Sequence, residues 1–174
     1  WLGRAIGDMD PHKENVLTGV NFGRGLPRAL ATSGVSVASV GGLDQLGVLT
    51  GIEDQNQRTE ALDIFARMYS PMIGSGVTND YLSQTGLDAL KGADILATAP
   101  TGYTSTVEYG GDQFSQWLKN VAQVHLADLG SRVLYTGLNP GAFDTHANQT
   151  TAFPQLWGQV SNAVENFYQD LKEH

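Results

Sequence analysis

Cysteine is absent from the 174 residues. That excludes thiol nucleophiles, disulfides and thiolate-rich zinc sites, so any bound metal would have to use histidine and carboxylate. Histidine is scarce too, with only His12, His125, His146 and His174. Basic residues are few: 10 Lys and Arg stand against 18 Asp and Glu, a formal net charge of -8. A nucleic-acid binder needs a basic footprint, and adhesion to an anionic membrane needs the same, so both classes are excluded. A small anionic ester remains an acceptable substrate, because a bound cation reverses the local field. No run is long and apolar enough to cross a membrane, and no signal peptide is visible. There is no Gly-x-Ser-x-Gly elbow, and Gly23-Arg24-Gly25 lacks the spacing and lysine of a phosphate-binding loop.

What is present suffices for one domain over residues 1–174. Hydrophobic residues make up 41 %, enough for a core. Residues 1–6 read as the tail of a helix stopped by Gly7. Residues 15–22 and 35–40 read as strands, with a glycine- and proline-bearing turn after the first. Helical spacing of Ala61, Leu62, Ile64, Phe65 and Met68 predicts a helix over 57–69. A second helix is predicted over 78–96 with Thr78 as its N-cap, then a long surface loop over 100–111. Residues 112–129 form the clearest amphipathic pattern, with Trp117, Leu118, Val121, Ala122 and His125 in one stripe and Gly130 as C-cap. An apolar strand over 132–138 follows. Pro154 suits the first turn of a last helix, whose stripe holds Trp157, Val160, Ala163, Val164, Phe167, Tyr168 and Leu171. Helix, buried strand, loop, helix is the order of an α/β protein with a parallel sheet.

The loop after that last strand reads Phe143-Asp144-Thr145-His146-Ala147-Asn148-Gln149. Ligands and chemistry in α/β sheets collect beyond the carboxyl ends of strands. If the loop starts extended, Asp144 and His146 point one way and Thr145 the other, so both could meet one divalent ion. Spacing alone fits better a carboxylate that caps a turn or the following helix beside an exposed histidine, because two-residue metal motifs are common by chance. Asn148 and Gln149 could orient the two ligands, though ordinary loop polarity is the simpler reading of both. Arg24 and Arg28 could face an anion, or be ordinary surface cations. His125 is expected to be partly buried, and His12 to lie in an exposed turn.

Several runs together resemble a large bacterial family of the alkaline-phosphatase/sulfatase-like superfamily. They are Trp1-Leu2-Gly3-Arg4, Leu26-Pro27-Arg28-Ala29-Leu30, Ser131-Arg132-Val133-Leu134-Tyr135, the Phe143–Gln149 run and Phe167-Tyr168-Gln169-Asp170-Leu171-Lys172. The likeness is thin at first and dense from about residue 112 onward. It implies a three-layer α/β/α sandwich around a mainly parallel sheet. It also implies export to the periplasm or cell surface, commonly by the twin-arginine route. The implied activity is metal-dependent hydrolysis of phosphate or sulfate esters, with Asp144 and His146 as ligands of a divalent ion, zinc or calcium. A non-catalytic periplasmic or surface binding protein on the same scaffold is the alternative. The sequence departs from the pattern in two ways. Related enzymes space this Asp and His more widely, and Asn139-Pro140-Gly141-Ala142-Phe143 stands where relatives more often have Gly-Gly-Phe. The family's nucleophile and remaining ligands are expected outside these 174 residues, so the chain reads as the central part of a larger domain.

Overall fold

The computed structural model describes residues 1–23, 25–43, 46, 52, 54–138 and 141–174. They form a mixed α/β unit, about half helical, around a small all-parallel sheet. Helix α1 (Leu2–Met9) precedes strands β1 (Gly19–Phe22) and β2 (Val37–Val40). Helices α2 (Gln55–Tyr69), α3 (Val77–Leu96) and α4 (Gln113–Leu126) lead to β3 (Val133–Thr136), and α5 (Gln149–Glu173) follows. Strand order is β2-β1-β3. Gly19 aligns with Val37 on one side and Val133 on the other; Phe22 aligns with Val40 and Thr136.

Several boundaries differ from expectation, each for a local reason. Gly7 does not stop α1. A Cβ on Gly7 would stand 2.9 Å from Val35, and one on Gly3 would stand 2.3 Å from the Thr32 hydroxyl, so these glycines let α1 lie close on neighbouring chain. The first strand is shorter than 15–22 because Asn15 closes a turn ahead of it. Its Oδ1 accepts from Leu17 N at 2.8 Å, and its Nδ2 donates to Leu129 O at 3.1 Å. Val16 and Leu17 look strand-like in sequence yet are buried in that turn. Gly76, not Thr78, caps α3. Asp112 caps α4 by accepting from Ser115 N at 3.1 Å. That helix ends before 129, and Asp128 and Gly130, both at positive φ, turn the chain into β3. Helix α5 starts at Gln149, which places Pro154 inside it. His125 lies one turn beyond the buried Val121 and Ala122, at the end of α4, and is itself exposed, not partly buried as expected.

The core gathers Leu17, Val20 and Phe22 with Leu96, Trp117, Val121 and Val124. Burying each such side chain contributes about 1.5–3 kcal/mol. Trp117 Nε1 donates to Gly41 O at 2.8 Å, tying α4 to the turn after β2. Thr136 Oγ1 donates to Phe22 O at 3.0 Å, fixing the carboxyl end of β3 against that of β1. On the opposite face of β1, Ile6 of α1 reaches Gly19, and the buried Asn21 donates to Gly25 O at 3.0 Å and Ser39 Oγ at 2.8 Å.

Candidate functional site

In this strand order the chain leaves central β1 toward β2 and later returns on the other side as β3. The carboxyl ends of β1 and β3 therefore flank the point where connections diverge, the usual ligand crevice of parallel α/β sheets. The loop after β3 starts there. Asn139, Pro140 and Arg24 lie outside the described residues. Arg28 is exposed.

Gly141, at φ +83, opens a turn in which Asp144 N donates to Gly141 O at 2.9 Å. Phe143 anchors the loop to α5, with ring centroids 5.7 Å from Phe153 and 5.0 Å from Trp157. Beyond this anchor the side chains alternate. Asp144 and His146 face solvent at 70 % and 86 % exposure, and their Oδ1 and Nε2 meet at 2.9 Å. Thr145 turns inward, its hydroxyl buried and without a hydrogen-bond partner. Thr145 O accepts from Gln149 Nε2 at 2.6 Å, so Gln149 holds the loop backbone and not the ligand pair. Asn148, in the left-handed region at φ 55, sits at the N-cap of α5 without a side-chain cap bond. Its carbonyl receives Thr151 N and Ala152 N.

The Asp144 carboxylate thus faces an imidazole and has no capping bond to the helix among the described residues. At 2.9 Å the two atoms stand at hydrogen-bond distance, and a tetrahedral ion bound at about 2.0–2.2 Å from each would spread them to about 3.3–3.6 Å. The donor chemistry fits a divalent cation. Among the described residues no third His, Asp or Glu joins the pair closely enough to complete a three-ligand group.

Asp170, Glu173 and His174 come together at the end of α5. Here most of the donors are already engaged, but Asp170 Oδ1 is buried without a hydrogen-bond partner. Asp170 is fully buried, and its Oδ2 accepts from Tyr103 Oη at 2.6 Å and Tyr109 Oη at 2.7 Å. Glu173 accepts from Thr106 N at 3.0 Å, Ser105 Oγ at 3.2 Å and the Thr106 hydroxyl. His174 places Nδ1 3.0 Å from Asp170 O and Nε2 2.9 Å from Thr104 O. Both neighbours are carbonyls that only accept, so the doubly protonated ring satisfies both. Its pKa is raised accordingly, first by the Asp170 carbonyl. Burial pushes both tyrosine hydroxyls up, reinforced by the Asp170 carboxylate. Burial also raises Asp170, but the tyrosine hydrogen bonds outweigh it and the carboxyl lies below its usual value. This cluster straps the segment after α3 onto α5. Sequence reading treats that segment as an open surface loop and misses the strap. The available signal was a carboxylate, Asp170, at helical spacing from Ala163 and Phe167.

Comparison with family models, with curated proteins and with solved structures finds no match to this chain.

Proposed function

We propose that the loop after β3 is one part of the site of a metal-dependent hydrolase of phosphate or sulfate esters, built on an alkaline-phosphatase-like α/β/α sandwich and working outside the cytoplasm. The observation that carries this reading is the Asp144–His146 pair, 2.9 Å apart and solvent-facing beyond the carboxyl end of β3. Ile6 on one face of β1 and the main core on the other support helical material on both faces of the sheet. When bound, a zinc or calcium ion would neutralise charge on a small anionic ester and activate its attacking group. Asp144 and His146 would hold that ion, Phe143 would hold the loop against α5, and the inward Thr145 and Gln149 would keep the two donors on one side.

A zinc titration followed through the imidazole resonances tests this. One equivalent should shift His146 first, and Asp144→Ala should weaken the binding at least 10-fold. No His146 shift at millimolar zinc, or a response confined to His174, would refute the assignment. That no third donor joins the pair among the described residues favours a second reading, a non-catalytic binding protein on the same scaffold. Zinc bound at His146 without turnover of p-nitrophenyl phosphate or p-nitrophenyl sulfate by the full-length protein would select it.

A further inference from the structure

A cleft of about 640 Å³ runs along β2, at the opposite edge of the sheet from Asp144 and His146. Its far wall is α3. Every residue from Gly34 to Val40 lines it. Successive strand side chains point to opposite faces, so a cavity reached by both sets lies along the edge of the strand and not beneath one face. The order β2-β1-β3 leaves that edge without a described strand beside it. A strand edge offers N–H and C=O groups spaced to receive another strand. The small Ala89, Gly92 and Ala93 of α3 keep the helix back from it, and Val16, Val37 and Leu96 give it an apolar lining.

The charges in the cleft are unequal. Asp88 has both oxygens engaged, by Ser36 Oγ at 2.9 Å and Gln84 Nε2 at 2.7 Å. Lys13 stands near the amino end of β2, where this cleft meets a second one of about 250 Å³. Its ammonium has no hydrogen-bond or ion-pair partner among the described residues. Its backbone is held at φ 55, a region that side-chain-bearing residues avoid. Gly34 makes room for it: a Cβ there would stand 3.3 Å from Nζ.

We propose that this cleft docks an extended peptide segment, which adds to β2 as a further strand and ends with a free carboxylate on Lys13. A carboxyl terminus at the amino end of β2 makes the added strand antiparallel to it. The four residues of β2 span about 14 Å, room for about four peptide residues. The proposal stands apart from the metal reading and uses none of its residues.

The test is calorimetric titration of this chain with acetyl-Val-Thr-Val-Val as the free acid, as the C-terminal amide and with alternate amides N-methylated. The free acid should bind, with the amide at least 5-fold weaker and the N-methylated form weaker still. Lys13→Gln should bring acid and amide to equal affinity. Ala93→Trp, which fills the cleft, should abolish binding while thermal unfolding stays cooperative. Absence of binding at millimolar peptide, equal affinity for acid and amide, or indifference to N-methylation would overturn strand addition. Hexanoate competing as well as the peptide would also overturn it, showing a site for small amphipathic carboxylates instead.

Discussion

Two aspartate–histidine pairs lie at opposite ends of α5, and they differ in burial and in hydrogen-bond partners. Asp144 and His146 are exposed and meet only each other at 2.9 Å. Asp170 is fully buried, takes two tyrosine hydroxyls, and lies 3.9 Å from His174, whose ring nitrogens both face carbonyls. One pair has lone pairs exposed to a ligand; in the other the ring and Asp170 Oδ2 are spent on folding, and only the buried Oδ1 is unpartnered. The same residue types therefore do different work according to how much of their hydrogen-bonding capacity the fold has already used. Substitutions should separate the pairs cleanly, with stability answering at one and metal binding at the other.

The largest effect is expected at Asp170. Asp170→Ala leaves the hydroxyls of Tyr103 and Tyr109 without their acceptor and removes the centre of the strap. A buried hydrogen-bonded carboxylate lost in this way costs about 2–4 kcal/mol. Urea unfolding should show it as a fall in midpoint at unchanged slope. Tyr109→Phe removes one of the two bonds to the carboxylate and should cost about 1–2 kcal/mol in the same experiment. If Asp170→Ala is no more destabilising than Tyr109→Phe, the carboxylate is not the centre of the strap.

Next comes pH. Glu173 is depressed below its ordinary 4.5, mainly by its bonds from Thr106, so its contribution is present above that value and is lost as pH falls through the lowered pKa. His174 is raised above 6.5, so its contribution is complete below that value and is lost as pH rises through the raised pKa. Between the two, both bonds hold. Protection of the Thr106 amide from hydrogen exchange, corrected for intrinsic rate, should therefore peak from the weakly acidic range to near neutrality and fall on either side. His174→Gln should abolish the alkaline fall while leaving the acid one. A flat profile above pH 6 in the unmodified chain would show that the ring does not hold Thr104.

How much of this could be read in the sequence follows from how local each feature is. The amphipathic stripe of α4 and the order helix, strand, loop, helix are short-range patterns, and the structure has them. The parallel sheet follows from that order. The alternation of Asp144, Thr145 and His146 was legible too, because an extended start fixes side-chain direction at once. The strap was not. Tyr103 and Asp170 are 67 residues apart, and no local pattern joins a Thr- and Tyr-rich loop to the last turns of a helix. The length of β1 was misjudged for a related reason. Val16 and Leu17 are apolar because the core needs them, while their backbone belongs to the Asn15 turn. Burial and strand conformation go together only on average.

The smallest stability effect is expected at the exposed pair, and it sharpens the contrast most. Each side chain is more than two-thirds in water. An ion pair of that kind is worth about 0–1 kcal/mol. Asp144→Ala and His146→Ala should therefore leave the urea midpoint almost unmoved, while Phe143→Ala should loosen the loop by removing its ring contacts with Phe153 and Trp157. If the pair is a cation site, both alanine variants lose zinc response with stability intact. Phe143→Ala should weaken zinc binding by less than either, because its donors survive but are no longer held together. The reverse order, with Phe143→Ala abolishing zinc response and Asp144→Ala leaving it unchanged, would mean that loop shape and not the carboxylate makes the site.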